Sequence, residues 1–128
     1  MVLDRVHLEN NVVGLRVDGR IAPGPGSRVI LRNSVVAGNA GDGIHVVTLA
    51  GEAPSFLAVN RTTLLHNAGT GIHADGPRAV VLINDDTISQ NGTGIGATNG
   101  GQLFSYGNNR NNNNIGAEGA PTGMFVPM

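Results

Sequence analysis

The sequence predicts an all-β fold: a right-handed parallel β-helix (solenoid) of about four to five coils, three strands per coil, forming a single domain over residues 1–128. Three observations predict it. First, one motif recurs. Asn10-Asn11-Val12-Val13-Gly14-Leu15-Arg16-Val17, Asn39-Ala40-Gly41-Asp42-Gly43-Ile44-His45-Val46 and Asn67-Ala68-Gly69-Thr70-Gly71-Ile72-His73-Ala74 align without gaps, and Asn91-Gly92-Thr93-Gly94-Ile95-Gly96-Ala97 is one residue shorter. Second, the leading Asn residues lie 29, 28 and 24 positions apart, with the length differences mostly in Pro/Gly-rich loops at 20–27, 48–55 and 75–78. Third, the chain carries 20 Gly and 15 Asn but only 3% aromatic and 13% charged residues, a composition of short β-branched runs cut by turn residues.

Each coil reads as three strands, none long enough for a helix and each ended by Gly, Asn or Asp. The first strand is 28–32, 56–60, 79–83 and 102–106 in successive coils. The second is 6–8, 35–37, 63–65 and 87–89, and the third is 15–17, 44–46, 72–74 and 95–97. Strands repeated once per coil stack in parallel at about 4.8 Å, so equivalent residues form columns. Leu15/Ile44/Ile72/Ile95 and Val17/Val46/Ala74/Ala97 face inward on the third sheet; Val29/Leu57/Val81 and Leu31/Val59/Ile83 do so on the first. On the second sheet Val6/Val35/Thr63 and Val36/Leu64/Ile88 compete for the inward face, and the pattern leaves the parity open.

Two further columns belong to the turns. Asn10/Asn39/Asn67/Asn91 is expected to adopt the left-handed conformation of a sharp bend and to bond amide to amide up the stack. Gly14/Gly43/Gly71/Gly94 is expected to close that turn at positive φ. At the C-terminal end, 111–114 is all Asn where an apolar strand is expected, and 117–128 reads as a tail or cap carrying Met124, Phe125 and Val126.

Composition excludes several function classes. Net charge is −1 and all eight basic residues are Arg, dispersed along the chain, which is not the basic stripe of a nucleic-acid binder. No apolar run reaches membrane-spanning length. With no Cys there is no disulfide framework or thiolate metal site. The N-terminus lacks a signal peptide's basic start and apolar core, so as written the chain is expected to be cytoplasmic, or extracellular if it is a piece of a longer protein.

The unit Asn-x(2–3)-Gly-[Ile/Leu]-x-[Val/Ala] after an apolar strand resembles the parallel β-helix repeat of the pectate-lyase-like superfamily. Gly101-Gln102-Leu103-Phe104-Ser105-Tyr106-Gly107-Asn108-Asn109-Arg110 is similar to the last coil of such proteins. The resemblance implies the fold and a broad association with carbohydrate, without a particular reaction. Members are usually longer and carry an N-terminal amphipathic helix, whereas here residue 1 falls inside a coil.

Functional groups on a β-helix appear as outward columns. The most suggestive is Arg16/His45/His73, with Asp18 and Asp75 two residues on, a face able to bind an acidic or hydroxylated sugar. These are also the ordinary solvated positions of a strand. His45 and His73, one coil apart, could share a zinc ion with Asp75 as a third ligand, but zinc normally takes three or four protein ligands and the sequence assigns no metal and no cofactor. Asp85-Asp86 looks in isolation like the acidic cluster of polygalacturonase-type hydrolases, but the accompanying His-Gly and Arg-x-Lys are missing, and a turn role is expected. Asp4/Asn33/Arg61/Asp85, aligned in one column, is too mixed for a calcium site. Phe56, Phe104, Tyr106 and Phe125 are too few for a sugar-stacking platform.

No catalytic residue is therefore assigned. The chain reads as a non-catalytic binding or scaffold module, or the C-terminal piece of a longer carbohydrate-associated β-helix; the alternative is a polysaccharide lyase or glycoside hydrolase, or a remnant of one. Because Met1–Arg5 offers the first coil no cover, self-association into a homodimer through that coil is expected.

Overall fold

The aliphatic residues that recur once per coil lie directly opposite one another in the computed structural model, which describes residues 1–18 and 26–124. Three parallel sheets result. The first runs β1 (Val2–Asp4), β4 (Ser27–Arg32), β7 (Ser55–Asn60), β10 (Ala79–Asn84), β13 (Gln102–Ser105) and β15 (Gly123–Met124). The second runs β2 (His7–Glu9), β5 (Val35–Ala37), β8 (Thr63–Leu65), β11 (Thr87–Ser89) and β14 (Arg110–Asn112). The third runs β3 (Leu15–Asp18), β6 (Ile44–Val47), β9 (Thr70–Asp75) and β12 (Thr93–Thr98). All pairs are parallel and join neighbouring coils, so the chain is an all-β solenoid with three strands per coil.

The core is the space between the sheets. Leu31, Val59 and Ile83 of the first sheet, and Ile44 and Ile72 of the third, are fully buried or within 1% of it. The second sheet settles the open parity: Leu8, Val36, Leu64 and Ile88 are in register, and the last three are fully buried. Val6 does not stack on Val35, because His7 does. The first coil is slipped by one residue relative to the sequence alignment, and Val6 instead joins the column of Ser34 and Thr62, where the Val6 N–H donates to Ser34 Oγ at 3.1 Å.

The same slip corrects the bends. Arg5, Asn33, Arg61 and Asp85 turn the chain from the first sheet to the second, with φ of 56°, 52°, 47° and 55°; Arg5, not Asp4, belongs to this column. Asn10, Gly38, His66 and Gln90 turn it from the second sheet to the third, with φ of 60°, 65°, 55° and 58°. The left-handed residue thus immediately precedes Asn39, Asn67 and Asn91, and in the first coil Asn11 rather than Asn10 stands opposite Asn39.

The Asn ladder itself forms as expected of an amide column. Asn39 Nδ2 donates to Asn67 Oδ1 at 2.8 Å, Asn67 Nδ2 to Asn91 Oδ1 at 2.8 Å, and Asn91 Nδ2 to Asn114 Oδ1 at 3.1 Å. Each amide also spans toward the preceding coil, donating to the Leu8, Val36 and Leu64 carbonyls respectively at 3.1 Å. The glycines beside it serve space instead of φ, since Gly14, Gly43, Gly71 and Gly94 are not among the positive-φ residues. A Cβ on Gly43 would lie 2.7 Å from the Gly71 carbonyl oxygen and 2.9 Å from Asn67 Nδ2. Only a hydrogen fits between the turn and the ladder.

The polar segment 111–114 is a further correction. Arg110–Asn112 forms β14 and pairs with β11. Asn111 takes the inward column above Ile88, the end of that column among the described residues: its Nδ2 donates to the Glu118 carbonyl at 2.9 Å and its Oδ1 accepts from Asn114 Nδ2 at 2.9 Å. Of the tail, Ala117 bridges Thr93 on the third sheet and Gly123–Met124 pairs with β13. Phe125 and Val126, and most of the 20–27 loop, lie outside the described residues. At the other end β1, β2 and β3 form the last rung of each sheet among the described residues.

One buried carboxyl shapes the pH response. Asp86 is fully buried in the Ser34/Thr62 column, its Oδ1 accepting the Thr62 N–H at 2.8 Å and its Oδ2 the Asn84 N–H at 3.0 Å. Burial pushes this carboxyl up to about 8, with Asp85 adding to the rise and the two backbone donors and Arg61 opposing it. A raised folded-state value means the folded chain holds a proton that the unfolded chain has released, so this contribution is full below the ordinary value of 3.8 and is lost as pH rises to about 8. Chemical denaturation at a series of pH values is expected to show wild-type stability declining by up to several kcal/mol relative to Asp86→Asn across that window. Parallel curves for the two proteins would show that Asp86 ionises without cost.

Candidate functional site

Strand alternation sends every second side chain of the third sheet outward, and the parallel register stacks them. Arg16, His45 and His73 are in one column, followed at Gly96 by a residue without a side chain; Asp18, Val47, Asp75 and Thr98 form the next. Because the register sets them directly opposite on adjacent coils, the His45 and His73 rings stack, with centroids 4.8 Å apart and planes 10° from parallel.

Each ring is held by a carboxylate. His45 Nε2 lies 3.2 Å from Asp75 Oδ2, and His73 Nδ1 lies 3.1 Å from Asp42 Oδ2. His73 Nε2 contacts Thr98 Oγ1 at 2.7 Å, and that hydroxyl donates to Asp75 Oδ1 at 3.1 Å. Asp75 Oδ1 also accepts from Asn99 Nδ2 at 2.8 Å, while Asp42 Oδ1 accepts the Thr70 N–H at 2.8 Å. The hydrogen bond to Asp42 raises the His73 imidazole above its ordinary value against the opposing effect of burial. Burial works to raise Asp42, but the His73 and Thr70 contacts outweigh it and hold the carboxyl low. Asp75 is lowered chiefly by its bond from Asn99.

The sequence-predicted residues divide into two groups. His45, His73 and Asp75 share this network. Arg16 and Asp18 pair with each other, Arg16 Nε to Asp18 Oδ2 at 3.3 Å. Three partners were not read from the sequence: Asp42, Thr98 and Asn99. Asp42 lies in a Gly-Asp-Gly turn, and its reach to His73 crosses from the turn of one coil to the strand of the next, outside any column. Asp42, His45 and His73 each bring one ligand-type atom within 4.8 Å of the others.

Beside the network opens a cleft of about 430 Å³ lined by Arg16, His45, Asp75 and Asn99, with Leu49 and Pro77 among its apolar walls. Asp85 and Asp86 lie elsewhere: Asp85 on a left-handed bend, Asp86 inside the core. No curated protein and no solved structure matches the chain. A family model described as the right-handed beta helix region matches residues 2–115, nearly the whole solenoid. The coils, the parallel register and this match agree, and the chain belongs to the right-handed β-helix family.

Proposed function

We propose that the chain is a non-catalytic β-helix module that binds an acidic or hydroxylated carbohydrate on the outward face of its third sheet. The cleft carries the reading: a guanidinium, an imidazole, a carboxylate and an amide converge on one concave surface with apolar walls, the mixture that takes sugar hydroxyls and a sugar carboxylate together. Support for a non-catalytic role comes from the carboxylates themselves. Asp42 and Asp75 each lie at hydrogen-bond distance from an imidazole instead of facing one another across the cleft as an acid–base pair, and Asp86 is shut inside the core, out of reach of any substrate.

Titrating the ¹⁵N-labelled chain with oligogalacturonate and with an uncharged oligosaccharide is expected to shift the resonances of Arg16, His45, Asp75 and Asn99. His45→Ala/His73→Ala is expected to keep the fold and lose the binding. Shifts scattered over all three sheets, or binding that survives the double variant, would reject the site. Release of new chain ends from polygalacturonate would favour the lyase or hydrolase alternative.

Self-association belongs to the same proposal. Among the described residues no further strand pairs with the outer edges of β1, β2 and β3, and these edges, with Val2 53% exposed and Leu3 and Leu8 partly so, offer a second copy both backbone and apolar surface. A two-fold contact covers both copies' edges at once. Sedimentation is expected to show dimers at micromolar concentration; a clean monomer would remove this part of the proposal.

A further inference from the structure

Outside the sugar cleft, His73 Nδ1 lies 3.1 Å from Asp42 Oδ2 on the third sheet. The single hydroxyl proton of Thr98 has two acceptors within reach, Asp75 Oδ1 at 3.1 Å and His73 Nε2 at 2.7 Å. When it goes to Asp75, the neutral His73 ring carries its proton on Nε2 and turns its Nδ1 lone pair toward Asp42 Oδ2, a pair of acceptors that a metal ion can bridge. His45 is arranged in the same way. Its Nε2 is engaged by Asp75 Oδ2 at 3.2 Å, which places the lone pair of the neutral ring on Nδ1. A carboxylate or hydroxyl on the remote nitrogen is how metal-binding imidazoles are oriented and made more basic.

We propose that Asp42, His45 and His73 form a binding site for a divalent first-row transition ion, typified by Zn²⁺, through one Asp42 carboxylate oxygen and the Nδ1 atoms of the two imidazoles. The three residues each offer an atom within 4.8 Å of the other two. Ligands on a tetrahedral ion with bonds of about 2.0–2.1 Å lie roughly 3.3 Å apart, close to the Asp42–His73 separation. The stacked rings, with centroids 4.8 Å apart, need to lean together by about 1.5 Å, a tilt open to side chains that keep some exposure on the outer face. Two imidazoles and one carboxylate suit zinc, cobalt or nickel and not calcium or magnesium, which take oxygen ligands. The site shares only His45 with the cleft, and Asp42 and His73 do not line it, so Asp42→Asn tests the metal site without touching the carbohydrate reading.

Equilibrium dialysis of the untagged chain at pH 7.5 is expected to show one Zn²⁺ per chain, with no binding of Ca²⁺ at matched concentrations. Asp42→Asn retains the oxygen that accepts the Thr70 N–H, so it keeps the fold while weakening Zn²⁺ roughly tenfold or more. Exchanging the exposed His7 and His66 for Gln is expected to change nothing. Long-range ¹H–¹⁵N spectra of the wild-type imidazoles supply a readout independent of any variant: Zn²⁺ should shift Nδ1 of His45 and His73 and leave Nε2 protonated. Absence of stoichiometric binding, coordination through Nε2, or an Asp42→Asn variant that binds as tightly as wild type would overturn the site.

Discussion

Ile72→Asp is expected to leave the chain unfolded at 25 °C. Ile72 is fully buried and stacks in register between Ile44 and Ile95 in the middle of the third sheet. Removing its side chain forfeits about 1.5–3 kcal/mol of apolar burial. Placing a carboxyl there adds the larger penalty of a charge without partners, or of holding it protonated. Together these approach the roughly 5–15 kcal/mol by which domains are stable at all. A solenoid has no way to move the charge outward, since a one-residue shift of β9 would turn the neighbouring inward residue Ala74 out as well. Ile72→Val, which leaves only a methyl-sized gap, is expected to fold and to lose about 0.5–1.5 kcal/mol. Circular dichroism separates the two; a soluble Ile72→Asp protein melting with wild type would mean that the column does not face inward.

Asn67→Ala is expected to cost about 2–4 kcal/mol, far more than a polar-to-alanine change at an exposed turn. The Asn67 amide accepts from the Asn39 backbone N–H at 3.2 Å and from Asn39 Nδ2 at 2.8 Å, and it donates to Asn91 Oδ1 and to the Val36 carbonyl. Alanine removes all four contacts in a buried column, and the Asn39 N–H loses its acceptor where water cannot replace it. Asn67→Asp is expected to be at least as damaging, because an oxygen would then face the Asn91 and Val36 oxygens. Asn11 sits at the exposed end of the same column and meets Asn39 through its backbone N–H, which donates to Asn39 Oδ1 at 2.9 Å and which alanine keeps, so Asn11→Ala should change stability by less than about 0.5 kcal/mol. Urea midpoints for the three variants test this. Equal, small effects for Asn67→Ala and Asn11→Ala would show that the ladder adds nothing beyond the backbone.

The fold was legible because a solenoid writes its register into the sequence: Leu15, Ile44, Ile72 and Ile95 recur at one position of each coil, and the structure stacks them so. Legibility failed where that signal is degenerate. The Asn10-Asn11 doublet offers two residues for one ladder position, and the first coil has four steps from Asn11 to Leu15 where the next has five from Asn39 to Ile44, so a gapless alignment picks the wrong Asn. The parity of the second sheet was hidden because Val35-Val36-Ala37 and Thr63-Leu64-Leu65 are apolar on both faces over only three residues. The strand Arg110–Asn112 was hidden because its inward residue caps the core with an amide instead of extending it. In the candidate site, the His45/His73 column was legible from the repeat. Asp42 was not, because a turn residue that bonds to a strand 31 residues later leaves no trace in a column-by-column reading.

Everything proposed for the outer face depends on His45 and His73 being outward neighbours on adjacent coils, with Arg16 one coil further from His73. Cysteine pairs measure this directly, since the chain contains no cysteine of its own. A disulfide needs Cα atoms about 4.4–6.8 Å apart, which neighbouring strands satisfy at about 4.8 Å and strands two coils apart do not. On mild oxidation, His45→Cys/His73→Cys should lose two protons and two electrons to form an intramolecular bridge, seen by mass spectrometry, while Arg16→Cys/His73→Cys should remain reduced. A bridge in the second protein, or none in the first, would contradict the register on which the site is built.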